Sequence, residues 1–292
     1  MGLIREYDKD YCWQYNIRLT NKDSDIKELP FWVDSKNISK VSIDDFVFTP
    51  LTDDVEIENA QRFIKKHEWL GTTAYGTTHW FGAYYQCVLA GVITMGCPAA
   101  FSNIMGENTK DIERLISRGA CISWSPKNLA SKFIMWCIHW MVNNTQYRLF
   151  TAYSDPQAKE LGTIYQSCNF YYLGNSFGET HRYISPYSGD IVSSRTFRSR
   201  SYYKRYAQDL GIPWQSDWSV GDKVLFENIP DDIEIQLREY QRKIVSESTL
   251  VNVPSKHKYA YVLGRSKLET KRLRHKLEEL NTIYEYPKDR GK

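Results

Sequence analysis

The chain has 292 residues, 42% of them hydrophobic and 25% charged, with a net charge of +3. A chain of this length buries a core without disulfide staples, and its balance excludes a disordered chain, a collagen-like rod and a coiled-coil rod. No apolar window of ~18 residues occurs, so no transmembrane helix or membrane partner is expected.

The start, Met1-Gly2-Leu3-Ile4-Arg5-Glu6, lacks the basic-then-apolar pattern of a signal peptide, and a cytoplasmic protein is expected. Cysteines stand at 12, 87, 97, 121, 137 and 168 with no CxxC pair, which reads as reduced thiols rather than a zinc ribbon or redox motif.

Charge is uneven. Residues 1–60 hold 13 acids against 7 Lys and Arg, and residues 61–292 hold 22 against 31. Residues 195–205 carry Arg195, Arg198, Arg200, Lys204 and Arg205 with no acid, and Phe197, Tyr202 and Tyr203 lie between them. Cations interleaved with rings suit phosphate neutralisation with base stacking, so these five are the candidate DNA-binding residues. The competing reading is a solvated face above a few buried rings. Residues 256–276 carry eight Lys and Arg against Glu269 alone, which at helical spacing reads as a solvated face.

Residues 1–50 read as an acidic lead-in with short strands at Cys12–Leu19 and Asp45–Thr49. Ile57, Ala60 and Ile64 recur at helical spacing behind Asp53 and Asp54, candidate N-caps. Residues 80–85 and 88–95 read as a hairpin turning near Gln86. A short strand at 119–124, a loop at 125–131 and a helix at 133–142 follow. That helix is apolar nearly all round, so it is expected to be buried, His139 included. A strand spans 147–153. Asp155 and Pro156 read as N-cap and first position of a helix on which Ala158, Leu161, Tyr165 and Cys168 share a face. Residues 171–173 and 180–184 read as a strand pair.

Pro186–Ser194 reads as a boundary. Beyond it come a strand near 223–226, a helix at 231–246, a strand at 259–263 and a basic helix at 266–280. The fold class is α/β: a mixed sheet flanked by helices over 51–188, with a smaller α+β basic extension over 189–292.

This order of elements resembles the GNAT acyltransferase fold. The segment Asp155-Pro-Gln-Ala-Lys-Glu-Leu-Gly-Thr-Ile-Tyr165-Gln-Ser-Cys-Asn-Phe170 carries most of the likeness, although Asn169 replaces the usual Gly and Ile164 the Leu before the Tyr. Five further runs resemble the Mom-like DNA-modification proteins of bacteriophages. They are His67-Glu-Trp-Leu-Gly71, Phe81-Gly-Ala-Tyr84, Leu89-Ala-Gly-Val92, the run from Arg118 to Ser131, and Phe150-Thr-Ala-Tyr-Ser-Asp-Pro156. That resemblance implies a phage protein whose partner is double-stranded DNA. It implies transfer of a small acyl-derived, carbamoylmethyl-like group to the exocyclic amine of adenine, which protects the DNA from restriction.

The resemblance also implies site residues. A donor pyrophosphate would rest on amides before the 133–142 helix, at Ser123, Ser125, Lys127, Asn128, Ala130 and Ser131. The family's Gly-rich loop is absent there and Pro126 stands in it, so an acyl-CoA-like donor is implied while acetyl-CoA itself stays open. Tyr165 falls at the family's tyrosine acid; the alternative is a core ring. Asp155 is the candidate for acceptor chemistry, beside Tyr153, and also a helix cap. His79, Trp80 and Tyr84 would wall a flipped base. Arg118 would hold a phosphate or carboxylate, or else a surface ion pair. No metal is expected, because His67, His79, Cys97 and His181 lack ligand spacing. An N-acetyltransferase acting on a protein or small amine, and a non-catalytic nucleic-acid-binding protein, remain as competing readings.

Overall fold

The computed structural model describes residues 12–176 and 180–288. In chain order the first part holds α1 (Trp13–Lys27), β1 (Val47–Leu51), α2 (Asp54–His67), β2 (Thr77–Tyr85), β3 (Val88–Gly96), the short α3 (Thr109–Ile112), β4 (Glu113–Cys121), α4 (Leu129–Asn144), β5 (Leu149–Ser154), α5 (Thr163–Ser167) and β6 (Tyr171–Tyr172). Then come β7 (His181–Ile184), β8 (Ile191–Val192), α6 (Arg200–Asp209), β9 (Ser219–Val220), β10 (Lys223–Val224), α7 (Asp231–Glu247), β11 (Leu250–Asn252), β12 (His257–Val262) and α8 (Lys267–Leu280). Two compact units result: Met1–Phe177 with Lys256–Lys292, and Gly178–Ser255. Among the described residues no helix is long and apolar enough to cross a membrane.

The first unit is a seven-stranded mixed sheet in the order β1-β2-β3-β4-β5-β12-β6, flanked by helices. Local signals explain several elements. Asp53 caps α2 by accepting from the Val55 and Glu56 amides at 2.9 and 3.3 Å, and Ala60, Phe63, Ile64 and His67 form its buried face. Gln86 and Cys87 both take positive φ, 45° and 66°, the conformation a two-residue hairpin turn requires. α4 covers the face of β2 that carries His79 and Phe81, through Trp136 and Trp140. β4 and β5 are the parallel neighbours, and only Glu113–Leu115 pair with Leu149–Thr151.

Several expectations are corrected. The strand predicted at Cys12–Leu19 lies in helix α1. Its buried positions include Asn16, Asn21 and Asp25, so a polar packing face hid the helical period. The strand predicted at Asp45–Thr49 runs from Val47 to Leu51. The helix expected from Pro156 stops after Ala158, because Lys159 and Gly162 take φ of 55° and 68°; only Thr163–Ser167 resume it. His139 is exposed on α4 rather than buried. The strand at 181–184 pairs with β11 and β8, not with β6. The partner of β6 is β12, which also pairs along all of β5. Residues 256–288 therefore complete the sheet of the first unit, and the unit bounds replace the domain break expected at 188/189. Chain proximity favoured the nearer strand; the buried, ring-rich β12 takes the interior place because it gains more by burial.

The second unit holds a three-stranded antiparallel sheet, the β9–β10 pair, and helices α6 and α7. Phe197, Tyr202, Tyr203, Tyr206, Trp218 and Leu237 form its core. The rings expected to stack bases are thus buried structure, while Arg195, Arg198, Lys204 and Arg205 are exposed around them. Arg200 lies 3.8 Å from Asp222, and Arg205 sits 5.0 Å above the Tyr187 ring.

α1 is tied to the sheet by polar contacts. Buried Asp25 accepts the Ser123 amide at 3.1 Å and pairs with Lys66 at 2.9 Å. Arg18 donates to the Ser123 and Ser125 carbonyls at 3.0 and 3.2 Å. Lys66 keeps Glu28 at 2.8 Å, so what Asp25→Ala leaves without its partner is the Ser123 amide, and the change should cost about 1–3 kcal/mol in chemical denaturation. His67 packs beside this cluster, and burial pushes its pKa down to about 4 against the opposing pull of Asp25. Between pH 6.5 and 4 the unfolded chain therefore binds a proton that the folded chain does not. Stability should fall as pH drops through that window, and His67→Gln should flatten the dependence in denaturation midpoints compared across it.

Candidate active site

Beyond Leu115 and Thr151 the backbones of β4 and β5 no longer pair. β4 continues against β3 alone, and β5 against β12 alone, so their facing edges carry backbone donors and acceptors open to a ligand. Three carboxylates gather where the strands end. Asp155 follows β5. Its Oδ1 accepts the Gln157 amide at 3.0 Å, and its Oδ2 lies 3.0 Å from Lys256 Nζ. Glu160 folds back so that its Oε2 accepts the Asp155 amide at 3.3 Å. Glu68, just past α2, accepts the Leu70 and Gly71 amides at 2.9 Å each.

The loop that brings Glu160 round is clamped by Tyr259 of β12. The Tyr259 hydroxyl donates to the Leu161 carbonyl, and Gln166 Nε2 donates to that same oxygen at 2.9 Å. Gly162 is required at the contact. Its φ is +68°, and a Cβ there would lie 2.4 Å from the Tyr259 ring.

Electrostatics mark Glu160. Burial, followed by the negative charges of Glu68 and Asp155, pushes its pKa up to about 7; the Asp155 amide and the Trp69 side chain oppose this. Glu68 is also raised by burial, with Arg118 and its two amides pulling back. Burial pushes the Tyr165 hydroxyl well up, and the charges of Glu160 and Glu68 add to it, so it stays protonated. Its ring packs 5.4 Å from Phe170 and 5.5 Å from Tyr259. A carboxylate poised near neutrality beside a tyrosine held protonated can take and donate protons in one cleft.

Of the residues expected from sequence, Asp155, Tyr165 and Arg118 come together here. Arg118 reaches across by donating through Nε to the Thr72 carbonyl at 2.8 Å. Asp155 is a cap and a member of the cluster at once. Tyr153 belongs to a separate buried group: Lys258 lies 5.7 Å from its ring, and burial with the Glu113 charge pushes its pKa up to about 12.

The wall expected from His79, Trp80 and Tyr84 is not one surface. Successive residues of a strand point to opposite faces. His79 faces α4, 6.4 Å from the Trp140 ring and 6.0 Å from Tyr147, and Tyr84 lies on the side of Glu56 in α2. β2 is also three strands from β5, about 14 Å at ordinary strand spacing.

The donor loop keeps part of its expected character. Asn128 caps α4 in the left-handed region, φ 69°, and makes no side-chain cap bond, so first-turn amides at Ala130 and Ser131 face outward without that partner. Ser123 Oγ is buried with no hydrogen-bond partner among the described residues. Lys127 is exposed, and Ser131 Oγ donates back to the Asn128 carbonyl at 3.0 Å. Arg18 adds a cation that sequence reasoning missed, donating to Ser125 Oγ at 3.2 Å. Amides, an orphaned hydroxyl, a guanidinium and the open strand edges fit an anionic, amide-bearing donor such as an acyl-CoA.

Glu68, Trp69, Glu160 and Lys256 were also missed. Glu68 and Trp69 lie in the run His67-Glu-Trp-Leu-Gly71, which was noted without a role. Nothing local marks Glu160. Among the described residues no group of three His, Cys, Asp or Glu side chains is arranged to hold a metal ion.

Comparison with solved structures finds likeness at low identity. An N-acyl amino acid synthase, FeeM, from uncultured soil microbes matches at 15% identity and TM-score 0.32, over 44% of this chain and 80% of its own. A GNAT family acetyltransferase from Elizabethkingia anophelis, solved with acetyl-CoA, matches at 9% and 0.33, over 75% of this chain and 99% of its own. A tandem GNAT protein of the clavulanic acid pathway matches at 11% and 0.36, over 81% and 88%. Comparison with curated proteins returns no match. The model of the Mom protein family matches residues 51–216, which hold the splayed strands, the donor loop and three members of the site, Glu68, Asp155 and Glu160. With more than half of its length matched, the chain belongs to the Mom protein family.

Proposed function

We propose that this chain is a DNA-modifying transferase. It adds a small acyl-derived, carbamoylmethyl-like group to the exocyclic amine of adenine in double-stranded phage DNA, within the host cytoplasm, and so shields the DNA from restriction. The observation that carries the reading is Glu160, tuned to about pH 7 beside Tyr165 at the open ends of β4 and β5, in a chain of the Mom family. The donor is acyl-CoA-like; it supplies an activated carbon and a leaving thiolate. Ser123, Arg18 and the first-turn amides of α4 would hold its anionic part.

The chain's residues divide the chemistry between them. The amine nitrogen adds to the donor's thioester carbonyl carbon and the carbon–sulfur bond breaks, so this step leaves an N-acyl adenine, the acyl stage from which a carbamoylmethyl-like group derives. The amine proton passes to Glu160, whose carboxylate form is substantially populated at neutral pH. Tyr165, kept protonated, donates a hydrogen bond to the leaving atom. Asp155, held by Lys256 and the Gln157 amide, fixes the loop that places Glu160.

Two outcomes follow. Activity should rise with pH through about 7 as Glu160 loses its proton. Glu160→Gln should lower the rate roughly 10²–10⁴-fold and abolish that limb of the pH–rate profile. Mass spectrometry of nucleosides from DNA of expressing cells should show a new adenine species. The species should be absent with Glu160→Gln and with the Tyr165→Phe/Asp155→Ala double variant. Unmodified DNA from a folded wild-type protein, in phage-infected cells as well, would overturn the reading. Acetylation of a small amine in its place would mark an ordinary N-acetyltransferase.

A further inference from the structure

A broad concavity of the first unit lies away from the carboxylates. It is a groove of about 1040 Å³ between the end of α4, at His139 and Val142, and the outer face of α8. α8 packs Leu273 and Leu277 against Leu149, Ala260 and Val262. That packing leaves Lys267, Lys271 and Arg274 exposed along one face.

Of the acids on α8, Glu278 lines the groove with these cations, and Glu269 and Glu279 are engaged by other residues. Glu269 lies 3.0 Å from Arg148, Glu279 lies 3.3 Å from His275, and Glu278 accepts from the Tyr171 hydroxyl at 2.7 Å. Among the described residues Lys267, Lys271 and Arg274 make no ion pair. Arg265 has a structural task instead, donating to the Val142 and Thr145 carbonyls at 3.1 and 3.2 Å.

A second concavity, about 580 Å³, adjoins the groove and shares Arg274 with it. Tyr171, Tyr172, Tyr261, Tyr284 and Tyr286 line it, and Tyr284 is 52% exposed. This end borders α5, the helix of Tyr165. Tyr286 donates to the Phe170 carbonyl at 2.7 Å, and Gln166 Nε2 reaches the Pro287 carbonyl at 3.4 Å.

We infer that this track binds a DNA strand, with phosphates on Lys267, Lys271 and Arg274 and an unpaired base against Tyr284. The three cations stand four and three residues apart, about 6 and 4.5 Å along the helix, which lets them meet phosphates one or two nucleotides apart on a strand rising ~3.4 Å per phosphate. An anionic protein or lipid surface would use the cations but not the adjoining aromatic cleft, whereas bases stack on such rings. From the groove at the start of β5 to Asp155 is about 20 Å of strand, the reach of roughly six stacked nucleotides. The inference rests on the reading that the chain acts on DNA, and it places the strand on this basic groove of the first unit.

The test is fluorescence anisotropy of labelled single-stranded and duplex DNA with the full chain, over a salt series. Lys267→Ala/Lys271→Ala/Arg274→Ala should weaken binding roughly 10–100-fold. On single strands it should reduce the slope of log K against log salt by about 2, at ~0.7 per phosphate. Tyr284→Ala should weaken single-strand binding about tenfold and leave the slope unchanged. Lys22→Ala/Lys27→Ala/Lys110→Ala, with equal charge loss at other exposed sites, should bind as wild type. Unchanged thermal melting of the α8 variant confirms its fold. Wild-type binding by a folded α8 variant overturns the groove, and if the wild type still forms modified adenine the functional reading survives it. Loss of binding in the α8 variant, with no modified nucleoside from any sample, supports the groove and removes that reading. A wild type that binds no DNA, or that binds only phosphatidylserine vesicles, overturns both.

Discussion

β4 and β5 hold each other through Glu113–Leu115 against Leu149–Thr151 and then diverge, and the chemistry of the first unit depends on that divergence. A fully paired parallel sheet would spend the backbone groups of these strands on each other. Here each strand is secured from its outer side, by β3 and by β12, so the inner edges stay open without loss of order. The same divergence gives α4 its start beside the opening and lets the loop after β5 turn inward. The exposed edges, the first-turn amides of α4 and the inward loop are three results of one geometric choice.

Gathering Glu68, Asp155 and Glu160 there is unfavourable in isolation. Burial disfavours the charged forms of Glu68 and Glu160, and the charges of Glu68 and Asp155 add to the cost of ionising Glu160. The fold answers the three differently. Asp155 has Lys256 and an amide, Glu68 has two amides and Arg118, and Glu160 has the weakest support, one long amide bond and Trp69. The least supported carboxylate is the one shifted to neutrality, which is where a proton carrier works best. The Tyr259 clamp on Leu161 and Gly162 keeps that strained arrangement from relaxing into solvent.

Much of the scaffold was legible because its signals are local. The Asp53 cap, the turn at Gln86 and the apolar run of α4 each act within a few residues. Asp155 was legible for the same reason, as a polar residue between a strand and a proline. α1 was not, because it packs through Asn16, Asn21 and Asp25, and hydrophobic periodicity cannot register a polar face. β12 was not, because its partners lie about 80 or more residues upstream. Glu160 was not, because its shift comes from burial and from the charge of Glu68, which lies far upstream in the chain. His79 and Trp80 were misjoined because adjacency in sequence means opposite faces in a strand.

β12 lies between β5 and β6 in space, yet the whole second unit lies between β6 and β12 in the chain. On the ribosome the sheet therefore waits with a gap one strand in from its β6 edge. β5 and β6 emerge, about 80 residues of another unit follow, and only then does the strand that joins them appear. At ordinary synthesis rates that interval is on the order of 4–16 s. During it the edges of β5 and β6 stand unpaired, and the loop of Glu160 lacks both its Tyr259 clamp and Lys256. The nascent chain is thus exposed to edge-to-edge association for seconds, and the Glu160 loop gains its clamp only once Lys256 and Tyr259 have emerged.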